Sequence, residues 1–299
     1  MHSSRQRSRQ YPPCGRPAHA FTLIEVLLTI AIVALLWAAG AGLYRWSRER
    51  AGISLSTSNI RQLVTANLNY AADNSGWFCP AQEPRNLKRW HGSRATSEDA
   101  FEPDGGFLTP YLGGDKRLET CPLLLEALEG KESFEDGAGG YGYNAAYLGG
   151  RPGDPYSATG LNDLVVPART VMFATTGLSK AEGIQEYPFA EPYYAASEDG
   201  GRAWDLQPSV HFRAGGKAIV GWCDGHVSLE PPQSYGETNY YGGDNKKDKV
   251  GWFGPEDDNG FWNPHSPAVL NGWSPEEAES AKKGGARDED GLDSADSHE

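Results

Sequence analysis

The chain has 299 residues, 27 of them basic and 40 acidic, for a formal net charge of −13. That balance argues against a nucleic-acid-binding surface and for a solvated, extracytoplasmic body. The length admits one or two domains, and 37 glycines with 14 tyrosines and 9 tryptophans predict more strand and loop than helix outside the amino-terminal region.

Residues 1–20 form a cationic leader. They carry Arg5, Arg7, Arg9 and Arg16, no acid, and end in the small residues Ala18 and Ala20. Residues 21–46 then form an apolar run whose first 24 positions, 21–44, contain one charge, Glu25. As a helix those positions span about 36 Å, enough for a hydrocarbon core of about 30 Å. A carboxylate in that core costs about 2.5 kcal/mol or more, so such a residue is expected to be functional and paired. Leader arginines stay on the cytoplasmic side, which directs the carboxy-terminal body outward, although Arg45, Arg48 and Arg50 after the span weaken the contrast. The competing readings are an uncleaved signal-anchor and an ordinary signal peptide. The h-region of the latter is about 7–15 residues without an acid, shorter than this run.

The segment Ala20-Phe21-Thr22-Leu23-Ile24-Glu25-Val26-Leu27 resembles the prepilin processing site, usually written G-F-T-L-I-E, of type IV pilins and type II secretion pseudopilins. The resemblance implies cleavage between Ala20 and Phe21 by a membrane prepilin peptidase, N-methylation of the new Phe21 terminus, and a single-pass protein of the bacterial cytoplasmic membrane with a periplasmic body. Ala20 departs from the usual glycine and is its nearest substitute in size. A free Phe21 amine is cationic near neutral pH. Glu25 of an incoming subunit would pair with the amine of its neighbour, and a misregistered subunit would leave both charges unpaired, at a cost of several kcal/mol.

The helix is predicted to continue as an amphipathic stem over 47–75. Residues 47–72 hold no proline, and Ile53, Ile60, Leu63, Val64, Leu68 and Ala71 recur at three- and four-residue spacing. Gly40, Gly42 and Gly52 are expected bending points, and Asp73-Asn74-Ser75-Gly76 is a stop. The resemblance implies the same architecture, an α+β pilin-like fold with one long helix packed on an antiparallel sheet. The globular part is read as residues 76–230. Positions 77–120 read as loop, with a helical turn at 108–112 and a short apolar helix or turn at 123–128. Tyr141 to Tyr143 and Thr170 to Thr175 read as strands, 161–166 as a turn or short helix, and 178–208 as a polar, aromatic-rich insertion. Three strands at 209–212, 217–223 and 226–229, the last two joined by Asp224-Gly225, are expected as a meander over the stem.

Asp224-Gly225-His226-Val227 also resembles the end of a pseudopilin-like subfamily signature, H-x9-DG, with the Tyr-Gly-Tyr-Asn, Cys-Pro and Pro-Ala-Arg-Thr-Val-Met-Phe-Ala segments fitting the same subfamily. The signature histidine position holds Ala214, and the nearest histidine is His211, three residues earlier. Residues 231–273 form an aromatic, glycine-rich extension, whose aromatics either pack over the sheet or form a contact surface. Residues 274–299 read as a disordered acidic tail, with nine acids against three bases from Glu276 on.

Two oxygen-rich clusters, Asp244, Asn245, Asp248 and Glu256, Asp257, Asp258, Asn259, are candidates for calcium, without an EF-hand pattern. Solvated loop charge is the better reading, so no cofactor is expected. Zinc lacks a C-x2-C pair among Cys79, Cys121, Cys223 and His226. Cys14 leaves with the leader, and the three remaining cysteines form either one disulfide with a free thiol or three buried thiols. His211, Cys223, Asp224 and His226 cluster in sequence, but no hydrolase or phosphate-loop motif accompanies them. The expected role is a non-enzymatic pseudopilin-like subunit that meets prepilin peptidase, other subunits and the lipid bilayer, and no nucleic acid. The alternative is a membrane-anchored glycan- or protein-binding module that does not polymerise.

Overall fold

The computed structural model describes residues 22–113, 118–128, 137–236 and 239–271. The leader, Phe21 and the acidic tail lie outside the described residues. The chain divides into two compact units, Met1–Arg48 and Glu49–Glu299. Helix α1, Leu23–Asp73, contributes residues to both.

In the first unit α1 is uninterrupted through Gly40 and Gly42, and every described side chain of the unit is exposed. An apolar helix with no buried face is unstable in water and suited to lipid or to other helices.

In the second unit α1 buries Gly52, Ser56, Asn59, Ile60, Leu63, Val64, Ala66, Asn67 and Ala71. Of the expected stripe, Ile60, Leu63, Val64 and Ala71 are buried and Ile53 and Leu68 partly so, and three polar residues join it, each tied to a partner. Ser56 Oγ lies 3.0 Å from Cys121 Sγ. Asn59 Nδ2 donates to Glu119 O at 3.1 Å and to the Tyr141 hydroxyl at 3.0 Å. Asn67 Oδ1 accepts from Cys79 N at 3.0 Å. Gly52 is a packing position rather than a bend, because a Cβ there would stand 2.7 Å from Leu123 Cδ2. The helix ends in a Schellman turn, with Gly76 N donating to Ala71 O at 2.8 Å. The left-handed residue of that turn is Ser75, φ 58°, one place before the expected glycine.

Beyond α1 come 3-10 turns at Pro103–Gly105 and Thr109–Tyr111, then helix α2, Pro122–Leu125. The strands are β1 (Tyr141–Tyr143), β2 (Val171–Thr175), β3 (Leu178–Lys180), β4 (Gly183–Gln185), β5 (Tyr194–Ala196), β6 (Arg202–Asp205), β7 (Val210–His211), β8 (Ala218–Trp222), β9 (Val227–Glu230) and β10 (Val250–Gly251), before helix α3, Pro267–Asn271. The central sheet is antiparallel, in the order β1-β2-β8-β9. Gly142 pairs with Ala174, Ala174 with Val220, and Val220 with Ser228.

One expectation is corrected. β7 is not part of a meander. The edges of β8 are taken by β2 and β9, and β7 pairs with β10, although Ala214 and Lys217 still bridge across the Gly215-Gly216 turn, where φ is 62° and 82°. The 178–208 insertion folds into the hairpins β3–β4 and β5–β6.

Both faces of the central sheet are covered. Ile60, Leu63 and Val64 of α1 pack with Tyr143, Phe173 and Ile219. Val171, Ala174, Val220 and Trp222 pack with Phe212, Trp252, Phe253 and Trp262, so aromatics of the 231–273 extension close the second face. Gly221 lets the helix approach, because a Cβ there would meet Ile60 Cγ2 at 2.5 Å and Val64 Cγ2 at 2.7 Å.

Candidate functional site

α1 opens on Thr22-Leu23-Ile24-Glu25. Glu25 Oε2 accepts from Thr22 N at 2.9 Å and from Thr22 Oγ1 at 2.8 Å, and Glu25 N donates back to Thr22 Oγ1 at 3.4 Å. This reciprocal arrangement is a capping box. It gives two of the helix's leading N–H groups partners where lipid would offer none. The Thr-x-x-Glu spacing was the sequence signal for it, masked by the more conspicuous question of a lone acid in an apolar run. Glu25 remains exposed to whatever surrounds the helix. Ala20 and Phe21, the expected processing and methylation residues, lie outside the described residues. Among the described residues α1 is the one helix long and apolar enough to cross a membrane.

The C-terminal histidines stand in different settings. His211 is buried, and its Nδ1 lies 3.0 Å from Arg213 Nη1. Arginine only donates, so Nδ1 accepts and the proton sits on Nε2. Burial, with the charges of Arg213 and Lys249, holds its pKa well below the usual range. Arg213 also donates to Thr176 O at 2.9 Å and to Gly140 O. His211 is therefore a neutral packing element beneath a guanidinium clamp. The signature position, Ala214, is buried and paired with Lys217 across the Gly-Gly turn.

Asp224 and His226 meet at the solvent-facing β8–β9 turn. His226 Nδ1 is 2.6 Å from Asp224 Oδ1, and the imidazole stacks on Trp222 at 5.4 Å. Partial burial works to raise the Asp224 pKa, and the His226 N–H and ring outweigh it, leaving the carboxyl below its ordinary range. Gly225, φ 98°, closes the turn. The pair reads as turn chemistry, and no hydrogen bond joins it to His211 among the described residues.

Cys79, Cys121 and Cys223 are free and buried, which selects three thiols over a disulfide. Burial raises Cys79 and Cys223 well above the normal thiol range. At Cys121 burial acts the same way, but the Arg213 charge and the Ser56 hydroxyl prevail and lower it. Of the calcium candidates, Asp244 Oδ1 accepts from Lys247 N at 3.0 Å and Asp248 Oδ2 from Ser179 Oγ at 2.7 Å. Glu256 pairs with Arg202 at 2.8 Å, while Asp257 and Asp258 sit in a 3-10 turn. Among the described residues no three His, Cys, Asp or Glu side chains gather into a metal-ligating group.

Residues 15–40 match the family described as the prokaryotic N-terminal methylation motif. No curated protein and no solved structure matches the chain. The motif lies on the apolar start of a helix whose later half packs on an antiparallel sheet, which defines the class: an α+β protein with a prepilin-type amino terminus. The motif is consistent with a type IV pilin-like or pseudopilin-like protein. The motif implies processing by prepilin peptidase and association with other pilin-type subunits, and it points to a structural family. The C-terminal resemblance lies outside the matched residues.

Proposed function

We propose that this chain is a pseudopilin-like structural subunit, cut between Ala20 and Phe21, methylated on Phe21, and assembled through α1 into a type II secretion-like or type IV pilus-like fibre. The observation that carries the reading is the methylation motif at residues 15–40, set on a helix whose described residues from 22 to 51 are all exposed. A surface that apolar needs lipid before assembly and neighbouring helices after it. The subunit sits in the bacterial cytoplasmic membrane with its body on the far side, and Glu25 meets the Phe21 amine of an adjacent copy. Mass spectrometry of the mature amino terminus tests the processing step. An N-methylated Phe21 is expected, and an intact Met1 on protein recovered from the membrane overturns the proposal.

A further inference from the structure

The second unit holds a cavity of about 600 Å3, bounded on one side by the β5–β6 hairpin. That volume is within the ordinary range of small-molecule sites, roughly 300–1,000 Å3. Aromatic side chains line it: Tyr147, Tyr187, Phe189 and Trp204. The Tyr187 and Phe189 rings meet edge to face at 5.6 Å. Trp204 is 64% exposed, although most tryptophans of the unit are buried. Its β5 neighbour across the hairpin is Ala195, which leaves the ring face open.

Of the two acids lining this cavity, Glu191 is the one held in place from within the fold. The Tyr187 hydroxyl donates to Glu191 Oε1 at 2.7 Å, and no cation of the described residues pairs with it. Burial works to raise its pKa, against the Tyr187 bond. Its backbone is held from several sides. Indole N–H groups of Trp90, Trp262 and Trp252 donate to the carbonyls of Pro188, Ala190 and Pro192 at 2.9, 3.1 and 3.1 Å. Glu191 N donates to Ser209 Oγ at 2.8 Å. Three tryptophans and a serine thus fix a five-residue segment that presents one carboxyl to an aromatic-walled space. Such fixing is what a preorganised site requires.

Charge selects the ligand class. Among the described residues lining the cavity, Glu191 and Glu198 are acidic and Arg151 alone is basic. Arg151 is engaged elsewhere, 3.5 Å from Asp163 and 4.9 Å over the Trp77 ring. A sugar would need several convergent hydrogen-bonding groups, and the Tyr187 hydroxyl is already committed to Glu191. A metal ion would need more ligands than one carboxyl. A soft, partly desolvated cation needs aromatic faces and one counter-charge, and both are present.

Phe189 already carries the Arg89 guanidinium, 5.1 Å from its ring centroid, so the open rings are Trp204 and Tyr187. We propose that this cavity binds an alkylammonium group, with Glu191 as its counter-ion and Trp204 and Tyr187 as its aromatic walls. The group comes from a free amine or from a lysine side chain of a protein. The test uses the full chain in a polyoxyethylene detergent, which carries neither sugar nor ammonium. Calorimetry and tryptophan fluorescence are read with choline, with N-acetyl-lysine methylamide, and with 3,3-dimethylbutanol, the neutral isostere of choline, and Trp204→Ala isolates the share of the fluorescence change that belongs to that ring. At least one cation is expected to bind ten-fold or more tighter than the isostere, and the stronger of the two identifies the source. Glu191→Gln, which keeps an acceptor for Tyr187, is expected to weaken binding at least ten-fold. Trp204→Ala is expected to weaken it several-fold with an unchanged thermal midpoint, since that ring is exposed. Equal binding of cation and isostere, absence of binding, retention of affinity in Glu191→Gln, or preferential binding of maltotriose overturns the proposal. These outcomes are independent of whether the chain assembles into a fibre.

Discussion

Glu25 closes a capping box with Thr22 and is also the one acid in an apolar surface. Replacing it with leucine removes both roles, so loss of assembly in Glu25→Leu alone does not say which role mattered. Glu25→Gln separates them, because an amide oxygen still accepts from Thr22 N while the charge is gone. If register depends on pairing with a neighbour's Phe21 amine, Glu25→Gln is expected to insert into the membrane normally yet yield at least ten-fold less fibre by pelleting or microscopy. Thr22→Ala is the reciprocal variant. Loss of the cap costs about 1 kcal/mol at the helix start and leaves the charge in place, so fibre yield is expected to stay near that of the parent. A Glu25→Gln chain that polymerises fully would assign Glu25 to capping.

At the scale of elements, the close approach of α1 to β8 rests on one missing side chain. Ile60 and Val64 are β-branched and stiff about χ1, so neither swings away from a Cβ added at Gly221. Gly221→Ala is expected to destabilise the second unit by about 1–3 kcal/mol, read as a lower urea midpoint with an unchanged slope. An unchanged midpoint would show that helix and sheet separate without penalty. The pattern of legibility follows from this packing. Long-period signals were readable: the apolar run, the stripe through Ile60, Leu63 and Val64, and the β-branched segment that became β2. The Asp224-Gly225 hairpin was readable because its turn chemistry is local. The pairing of β7 with β10 was not, because partners nearly 40 residues apart leave no short-range trace. The burial of Ser56, Asn59 and Asn67 was hidden for the same reason, since their partners Cys121, Glu119, Tyr141 and Cys79 lie outside the helix, in loops and in β1. Of the candidate sites, the motif around Glu25 was legible from sequence. Glu191 was not, because its place depends on indole donors from two distant segments, Trp90 and the 231–273 extension.

For the molecule as a whole, the second unit carries two neutral imidazoles that resist protonation. His91 is 2% exposed, and neither ring nitrogen has a hydrogen-bond partner. Its ring lies between Trp90 at 5.1 Å and Phe101 at 5.2 Å. Burial, helped by the Arg89 charge, pushes its pKa down from 6.5 to about 3. His211 is lowered in the same direction. In the unfolded chain both titrate near 6.5. Between that value and the folded pKa, the unfolded state binds more protons than the folded one, so stability is full above about pH 6.5 and falls with acidification. Each histidine contributes a slope approaching about 1.4 kcal/mol per pH unit below pH 6. Glu191 opposes this, because its carboxyl is raised in the folded state and acidification relieves the cost of burying its charge. A net loss is still expected, because Asp224, whose carboxyl is lowered in the folded state, adds to the decline from the two histidines. Urea unfolding of the full chain from pH 7.5 to 4.5 should show stability declining below pH 6. His91→Phe places an aromatic ring of similar size between Trp90 and Phe101 and removes one titrating group, so the decline is expected to flatten by about 1.4 kcal/mol per pH unit. An unaltered slope in that variant would mean that His91 takes up its proton without unfolding the chain.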